Sequence, residues 1–226
     1  MPALLRRNLD LIVLTLLGAL LVAFPQLDLA TTGHFYDPQR GFFLRANLLV
    51  RIVYSSVWWI SALVLVSLLL FLIAGWTFRR KHDFFVRQRR VATYLLLVML
   101  VGPGLLVNTV FKDHWGRARP SQVTEFGGGK QFTRAAIPAD QCPKNCSFVS
   151  GHASVGFYFL ALAFVLPRRR ALWLALGTGL GLGIGLVRIM QGGHFLSDVI
   201  FCGIIVYLTA RVLHALMFPA PKPRSA

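Results

Sequence analysis

Six long apolar stretches, at about residues 9–25, 48–76, 91–111, 149–166, 171–187 and 195–217, constrain this chain more than any other feature. A helix that crosses the hydrocarbon core of a bilayer needs about 20 mostly apolar residues, and most of the six reach or approach that length. Only 14% of the 226 residues are charged, against roughly a quarter in soluble domains, so lipid is the solvent that suits the surface. The pattern predicts an all-α fold: an integral membrane bundle of six transmembrane helices, forming a single domain over 1–226. The first stretch follows Arg6 and Arg7 in the layout of a signal peptide. No small-x-small site follows "LLGALLVAFPQLDLA", so the expectation is an uncleaved first span.

Charge in the short loops orients the bundle. With the N-terminus inside, the inner segments are "MPALLRRN", "FRRKHDFFVRQRR", "PRRR" and "PAPKPRSA". They are dense in Arg and Lys, as the positive-inside rule requires. They account for most of the net charge of +16; the expected partners are membrane lipids, and no nucleic acid. The outer segments are then about 28–47, 112–148 and 188–194, and the middle one breaks the rule. It holds Lys112, Arg117, Arg119, Lys130, Arg134 and Lys144 against Asp113, Glu125 and Asp140. Such a surplus at a membrane boundary calls for a compensating anion. Cys142 and Cys146, in "CPKNC", lie on the outer, oxidising side, where a small disulfide and two free thiols are both open. Cys202 sits inside the last stretch and reads as packing.

Three outer segments carry polar groups at membrane boundaries. In "KDHWGRARP" Lys112 and Arg119 are seven residues apart, roughly on one face if the helix continues, and Pro120 then turns the chain. In "SFVSGHAS" Ser150 is placed as an N-cap, followed by Gly151 and His152. The N–H groups of such a helix start attract an anion, and a glycine there lets a ligand approach the backbone. In "VRIMQGGHFLSD" His194 and Asp198 stand at i and i+4, on one helical face, with Arg188 before them. An Asp so placed can fix the tautomer of an imidazole and leave its other nitrogen free to attack. Each segment has a bland explanation by itself, since Lys and Arg snorkel to head groups and a histidine near a helix end is usually packed or solvated. All three nevertheless fall on one side of the membrane under a topology taken only from the inner loops. Together they supply three cations, a helix N-terminus, two histidines and an oriented carboxylate, a set that suits phosphate.

These segments resemble the three-part signature of the type 2 phosphatidic acid phosphatase superfamily. Its first part, Lys, six residues, Arg-Pro, is intact as Lys112 to Arg119-Pro120. The second reads Val149-Ser150-Gly151-His152, without the usual proline, and the third Val187-Arg188 with His194 and Asp198, without the usual serine. The resemblance implies a phosphatase in which His194 attacks phosphorus, Asp198 holds its ring, and His152 protonates the leaving oxygen and then activates water. Lys112, Arg119, Arg188, Ser150 and the Gly151 N–H would hold the phosphate oxygens, with Arg117 and His114 as further additions. It implies no metal and no cofactor.

Other features read as architecture. "GTGLGLGIG", 177–185, lies mid-membrane with no preceding strand, so close helix packing through small residues is the expectation rather than a nucleotide loop. "HFYDPQRGFFLR", 34–45, is an interfacial segment suited to border a lipid entrance. Trp58, Trp59 and Trp76 read as packing or membrane-belt residues. A site at the outer boundary of a bundle favours an amphiphile, and the loops place it on the periplasmic side of a bacterial inner membrane. The substrates to weigh are lipid A phosphate, undecaprenyl diphosphate, phosphatidylglycerol phosphate and phosphatidate. The loop before "SFVSGHAS" is similar to those of lipid A-modifying phosphatases, which favours the first. Two other classes compete: a vanadate-dependent oxidase, whose known forms are soluble, and an anion transporter, which would show repeats or broken helices at midplane.

Overall fold

The structure, a computed structural model, describes residues 8–77 and 83–219. Arg6 and Arg7, part of the basic loop at 78–90 and nearly all of the C-terminal tail therefore lie outside the described residues. Helices dominate. α1 (Leu9–Ala23) and α2 (Gln26–Gly33) meet at an 81° bend. Pro25 causes it, because a proline pushes the residue before it out of the helical region, and Phe24 has φ −118°, ψ 67°. A short hairpin, β1 (Tyr36–Asp37) and β2 (Gly41–Phe42), leads into α3 (Leu48–Thr77). α4 (Asp83–Met99) runs on through a π-helical stretch, Leu100–Phe111, to a last turn at Lys112–His114. α5 (Gly151–Val165), α6 (Arg170–Met190) and α7 (Leu196–Met217) complete the bundle.

Among the described residues, four helices are long and apolar enough to cross a membrane: Leu48–Thr77, Gln88–His114, Pro167–Met190 and Leu196–Met217. The bent α1–α2 pair makes a fifth if it counts as one span. The expected sixth, α5, is shorter. It starts only after the extended Ser150, is interrupted by a 3-10 turn at Tyr158–Ala161 and ends before Pro167. α3 exposes Trp58, Trp59 and Trp76 at 70% or more, so these three are not packed inside the bundle.

The glycine run of α6 does pack helices closely. A Cβ on Gly156 of α5 would come within 2.6 Å of the Gly181 backbone, and one on Gly181 within 2.4 Å of the Phe157 ring. Any larger residue would drive the two helices apart. The core between α5, α6 and α7 is apolar, built on Phe148, Phe157, Ile189, Val199 and Val206.

The loop from 115 to 150 folds back over one end of this bundle. Its backbone is pinned by Ser147 N–H to Arg117 O (2.9 Å), Ser121 N–H to Gly192 O (3.0 Å) and Ser150 N–H to Asp198 O (3.2 Å). Cys142 and Cys146 are bonded as a disulfide within it, which resolves the alternatives left open by their spacing. Phe42, Val123, Phe126 and Phe195 form a small apolar cluster that joins the hairpin, the loop and the start of α7. The three segments assigned to the outer face by charge thus meet at one end of the molecule.

Candidate active site

Pro103 sets the geometry of the first segment. A proline removes one helical hydrogen bond and crowds the carbonyl four residues back, and the chain around it adopts the wider π winding, a form found often at functional sites. Asn108 Nδ2 donates to Pro103 O at 2.7 Å, five residues back. This winding brings Asn108 and Lys112 over the N-terminus of α5. A Cβ on Gly151 would lie 2.3 Å from Asn108 Oδ1 and 3.3 Å from Lys112 Nζ. Glycine there is a requirement of close approach, and Asn108 is a neighbour that the sequence reading did not single out.

His194 is 1% exposed, and its Nδ1 lies 2.7 Å from the carbonyl oxygen of Ser147. The Asp198 Oδ2 is 3.7 Å from the same nitrogen. Sequence spacing leads one to expect Asp198 as the direct partner; the backbone carbonyl stands there instead, with the carboxylate just behind it. Both neighbours are acceptors, so Nδ1 carries the proton and Nε2 keeps its lone pair. Burial is the main influence on the imidazole and lowers its pKa to about 4, against the pull of Asp198 in the other direction. The ring is therefore neutral near pH 7.

Asp198 is itself held from three sides. Its Oδ2 accepts from Ser147 Oγ and from the Phe195 N–H (2.8 Å), and its Oδ1 from Arg117 Nη1 at 2.5 Å. Arg117, taken from sequence as an addition to the phosphate ligands, is fully buried behind His194. Its Nη2 donates to Asp28 Oδ2 at 2.8 Å, its Nε to the Thr133 carbonyl at 2.9 Å, and its face lies on the Phe195 ring at 4.4 Å. Its fork is thus committed to two carboxylates and a carbonyl, which leaves no free face for a ligand. Burial alone would favour the neutral form, but the carboxylates of Asp198 and Asp28 outweigh it and hold the guanidinium protonated. Asp28 also accepts from the Ser197 N–H (2.8 Å) and hydroxyl, and so satisfies the first turn of α7. Asp28 was not anticipated; an acidic residue inside the apolar "FPQLDLATTG" was the available signal. His114, the other suggested addition, is exposed, and its Nδ1 faces the carbonyls of Thr109 and Val110 on its own helix.

The remaining cations differ sharply from Arg117. Among the described residues, Lys112, Arg119 and Arg188 have no salt bridge. Arg119 Nη2 donates to the carbonyl and side-chain oxygens of Asn145 (2.8 and 2.9 Å), and Arg188 Nη1 donates to Gln191 Oε1. Burial shifts Arg119 below the usual arginine range. Arg188 is 7% exposed and its Nε has no partner; nor does the buried Ser150 Oγ, although Ser150 holds the N-cap position. A Cβ on Gly193 would strike the Arg188 guanidinium at 2.3 Å, so that glycine makes room for it. The charges of Arg188, Lys112 and Arg119 all act on His152, as does His194. Sequence-selected residues from three segments therefore converge on one cluster.

Tyr54 of α3 joins them and was missed. Its ring stacks on His152 with centroids 4.4 Å apart and planes 16° from parallel, and the Arg188 guanidinium lies 4.8 Å from its centroid. From this cluster a cleft of about 560 Å³ runs sideways between α3 and α4. It passes from Lys112, His152 and Asn108 to apolar Trp58, Leu65 and Leu100. A neutral histidine of fixed tautomer, a second histidine, three unpaired cations and an apolar side cleft can hold an anionic group attached to a long apolar body.

A family model described as the PAP2 superfamily matches residues 90–222. The chain belongs to the PAP2 superfamily. All the motif residues fall within the match, whereas Asp28 and Tyr54 precede it. The chain is 38% identical over 213 residues, 93% of its length and 95% of the relative's, to a lipid A 4'-phosphatase of Francisella tularensis subsp. novicida (strain U112). It is 45% identical over 103 residues to a lipid A 4'-phosphatase of Rhizobium leguminosarum, covering 45% of this chain and 44% of that one. A lipid A 1-phosphatase of Rhizobium johnstonii is 33% identical over 111 residues, 49% of this chain and 41% of that one. No solved structure matches the chain.

Proposed function

We propose that this PAP2 protein is a lipid A phosphatase that removes the 4'-phosphate through a phosphohistidine intermediate. The observation that carries the reading is the asymmetry of the cations: Arg117 is saturated by carboxylates, while Lys112, Arg119 and Arg188 surround two histidines without an anion of their own. The 38% identity to a lipid A 4'-phosphatase across nearly the whole chain supports the substrate, and the apolar cleft offers a course for acyl chains.

In this mechanism the three cations, the Ser150 hydroxyl and the N–H groups at the start of α5 bind the non-bridging oxygens. The Nε2 lone pair of His194 attacks phosphorus as the bond to the sugar oxygen breaks. Charge on the resulting imidazolium is eased by the Ser147 carbonyl at Nδ1 and by Asp198 behind it. Protonated His152, favoured by the bound phosphate dianion, gives its proton to the leaving oxygen. Neutral His152 then takes a proton from water, the hydroxide attacks phosphorus, the P–N bond breaks, and phosphate and both histidines are restored. In the same reading the chain is one domain that passes the membrane six times. It lies in the bacterial inner membrane with this site facing the periplasm, where the surplus charge of 112–148 meets its anion.

The test is phosphate release by the purified protein in detergent from lipid A, undecaprenyl diphosphate, phosphatidylglycerol phosphate and phosphatidate. The expected result is fastest release from lipid A, with the 4' position emptied. Release from another lipid alone would transfer the substrate. Binding of phosphate with no release from any lipid would instead favour an anion carrier.

A further inference from the structure

A second cationic cavity lies beside the active site and takes no part in the mechanism above. It measures about 980 Å³ and includes Arg40, Arg45 and Arg51 in its lining, with Phe42, Phe126 and Ser121 among its other walls. Among the described residues, none of the three guanidinium groups has an ion pair or a side-chain hydrogen bond. The nearby Asp37 accepts at Oδ1 from the N–H groups of Gln39 and Arg40 (both 2.9 Å) and makes no ion pair with any of the three. The cavity abuts the catalytic turn. A Cβ on Gly192, two residues before His194, would lie 2.5 Å from the Phe42 ring, and Ser121 N–H donates to Gly192 O. Arg45 is close enough to Arg188 for their charges to interact.

We propose that this cavity binds the second phosphate of the same substrate head group, the one that is not cleaved. The proposal rests on the lipid A reading and deepens it. The names of the relatives number two phosphate positions, 4' and 1. A primed and an unprimed locant belong to different sugar rings, so the two phosphates sit on separate sugars of one head group. A lipid whose first phosphate enters the cluster at His194 must direct the rest of its polar head across the outer surface, since its chains enter the bundle sideways. Arg40, Arg45 and Arg51 are exposed, but unlike arginines that reach singly toward head groups they line one cavity together. Arginine's planar fork suits a phosphate in this setting. Occupation of the second cavity would fix which end of the disaccharide reaches His194, and so which phosphate is cleaved.

The test compares kcat/KM for lipid A carrying both phosphates with that for the same lipid lacking the 1-phosphate, in micelles of neutral detergent with no other anionic lipid. The proteins are the wild type and the double variant Arg40→Gln/Arg51→Gln. Loss of a charge-assisted hydrogen bond is worth roughly tenfold. The wild type is expected to favour the doubly phosphorylated lipid by about that factor. The double variant is expected to lose the preference through a slower reaction with that lipid alone. Equal losses on both lipids, or a wild type that reacts with both at the same rate, would overturn the subsite and leave the phosphatase standing. A wild type that hydrolyses neither would overturn the lipid A reading, and the subsite with it.

Discussion

Arg117 and Asp198 are joined by an ion pair of 2.5 Å in which neither side chain reaches solvent. Asp28 holds the other arm of the same guanidinium at 2.8 Å, and Asp198 in turn stands behind His194. His194 is thus backed by a buried chain that begins in α2, more than 150 residues away in sequence. Arg117 is the centre of that chain, and in the proposed mechanism it acts only through Asp198.

Replacement of Arg117 separates this role from phosphate binding. Arg117→Met leaves two buried carboxylates without their cation, and breaking a buried pair costs about 3–5 kcal/mol. The folded fraction in detergent, followed by thermal denaturation, should fall accordingly. Arg117→Lys keeps the charge but cannot bridge both carboxylates. It is expected to lower kcat by roughly tenfold, the effect of about 1.4 kcal/mol, with KM for the lipid unchanged. A raised KM at unchanged kcat would mean that Arg117 touches the phosphate.

The protonation of His194 can be read directly by NMR of 15N-labelled histidine. Its resonance should titrate at about 4, well below the ordinary 6.5. The sign follows from burial. The folded state binds fewer protons at this ring than the unfolded state between those two values, so its contribution to stability is full above 6.5 and is lost as pH falls toward 4. His194 is therefore predominantly neutral over the upper part of that window. A His194 signal that titrates near 6.5 would contradict the buried, desolvated environment.

Tyr54 meets the site through its ring. It stacks on His152 and faces Arg188, contacts worth about 1–3 kcal/mol together. Tyr54→Leu should therefore reduce kcat/KM by roughly ten- to a hundredfold and alter the pH profile of kcat, because His152 loses its neighbour. Tyr54→Phe preserves both contacts and should restore most of the rate. Equal impairment of the two variants would assign the effect to the hydroxyl.

In the proposed mechanism Lys112, Arg119 and Arg188 stabilise the phosphate charge without a divalent ion. Activity should be unchanged after exhaustive treatment with EDTA, measured as phosphate release. A loss that magnesium or zinc restores would refute this part of the mechanism.

The three motifs were legible because each is local: Lys112 with Arg119, Ser150 with His152, and Arg188 with His194 and Asp198 all lie within a few turns of one another. Loop charge was enough to assign them to one face. The bend at Pro25 was less legible, since hydropathy measures apolar length and not direction, and the same holds for the early end of α5. Asp28 and Tyr54 could not be paired with the site from sequence, because their partners lie far along the chain. The Ser147 carbonyl was hidden for another reason. A backbone acceptor has no side-chain signature, so spacing pointed to Asp198, which has one.

The most direct test of the account is to trap the covalent intermediate. Lipid A labelled in its 4'-phosphate would be mixed with the enzyme, quenched in alkali within one turnover, and the protein digested for mass spectrometry. The account predicts an alkali-stable phosphoryl group on His194 that is absent from His194→Ala, a variant that also releases no phosphate. Continued release by His194→Ala, or phosphate trapped on any other residue, would contradict it.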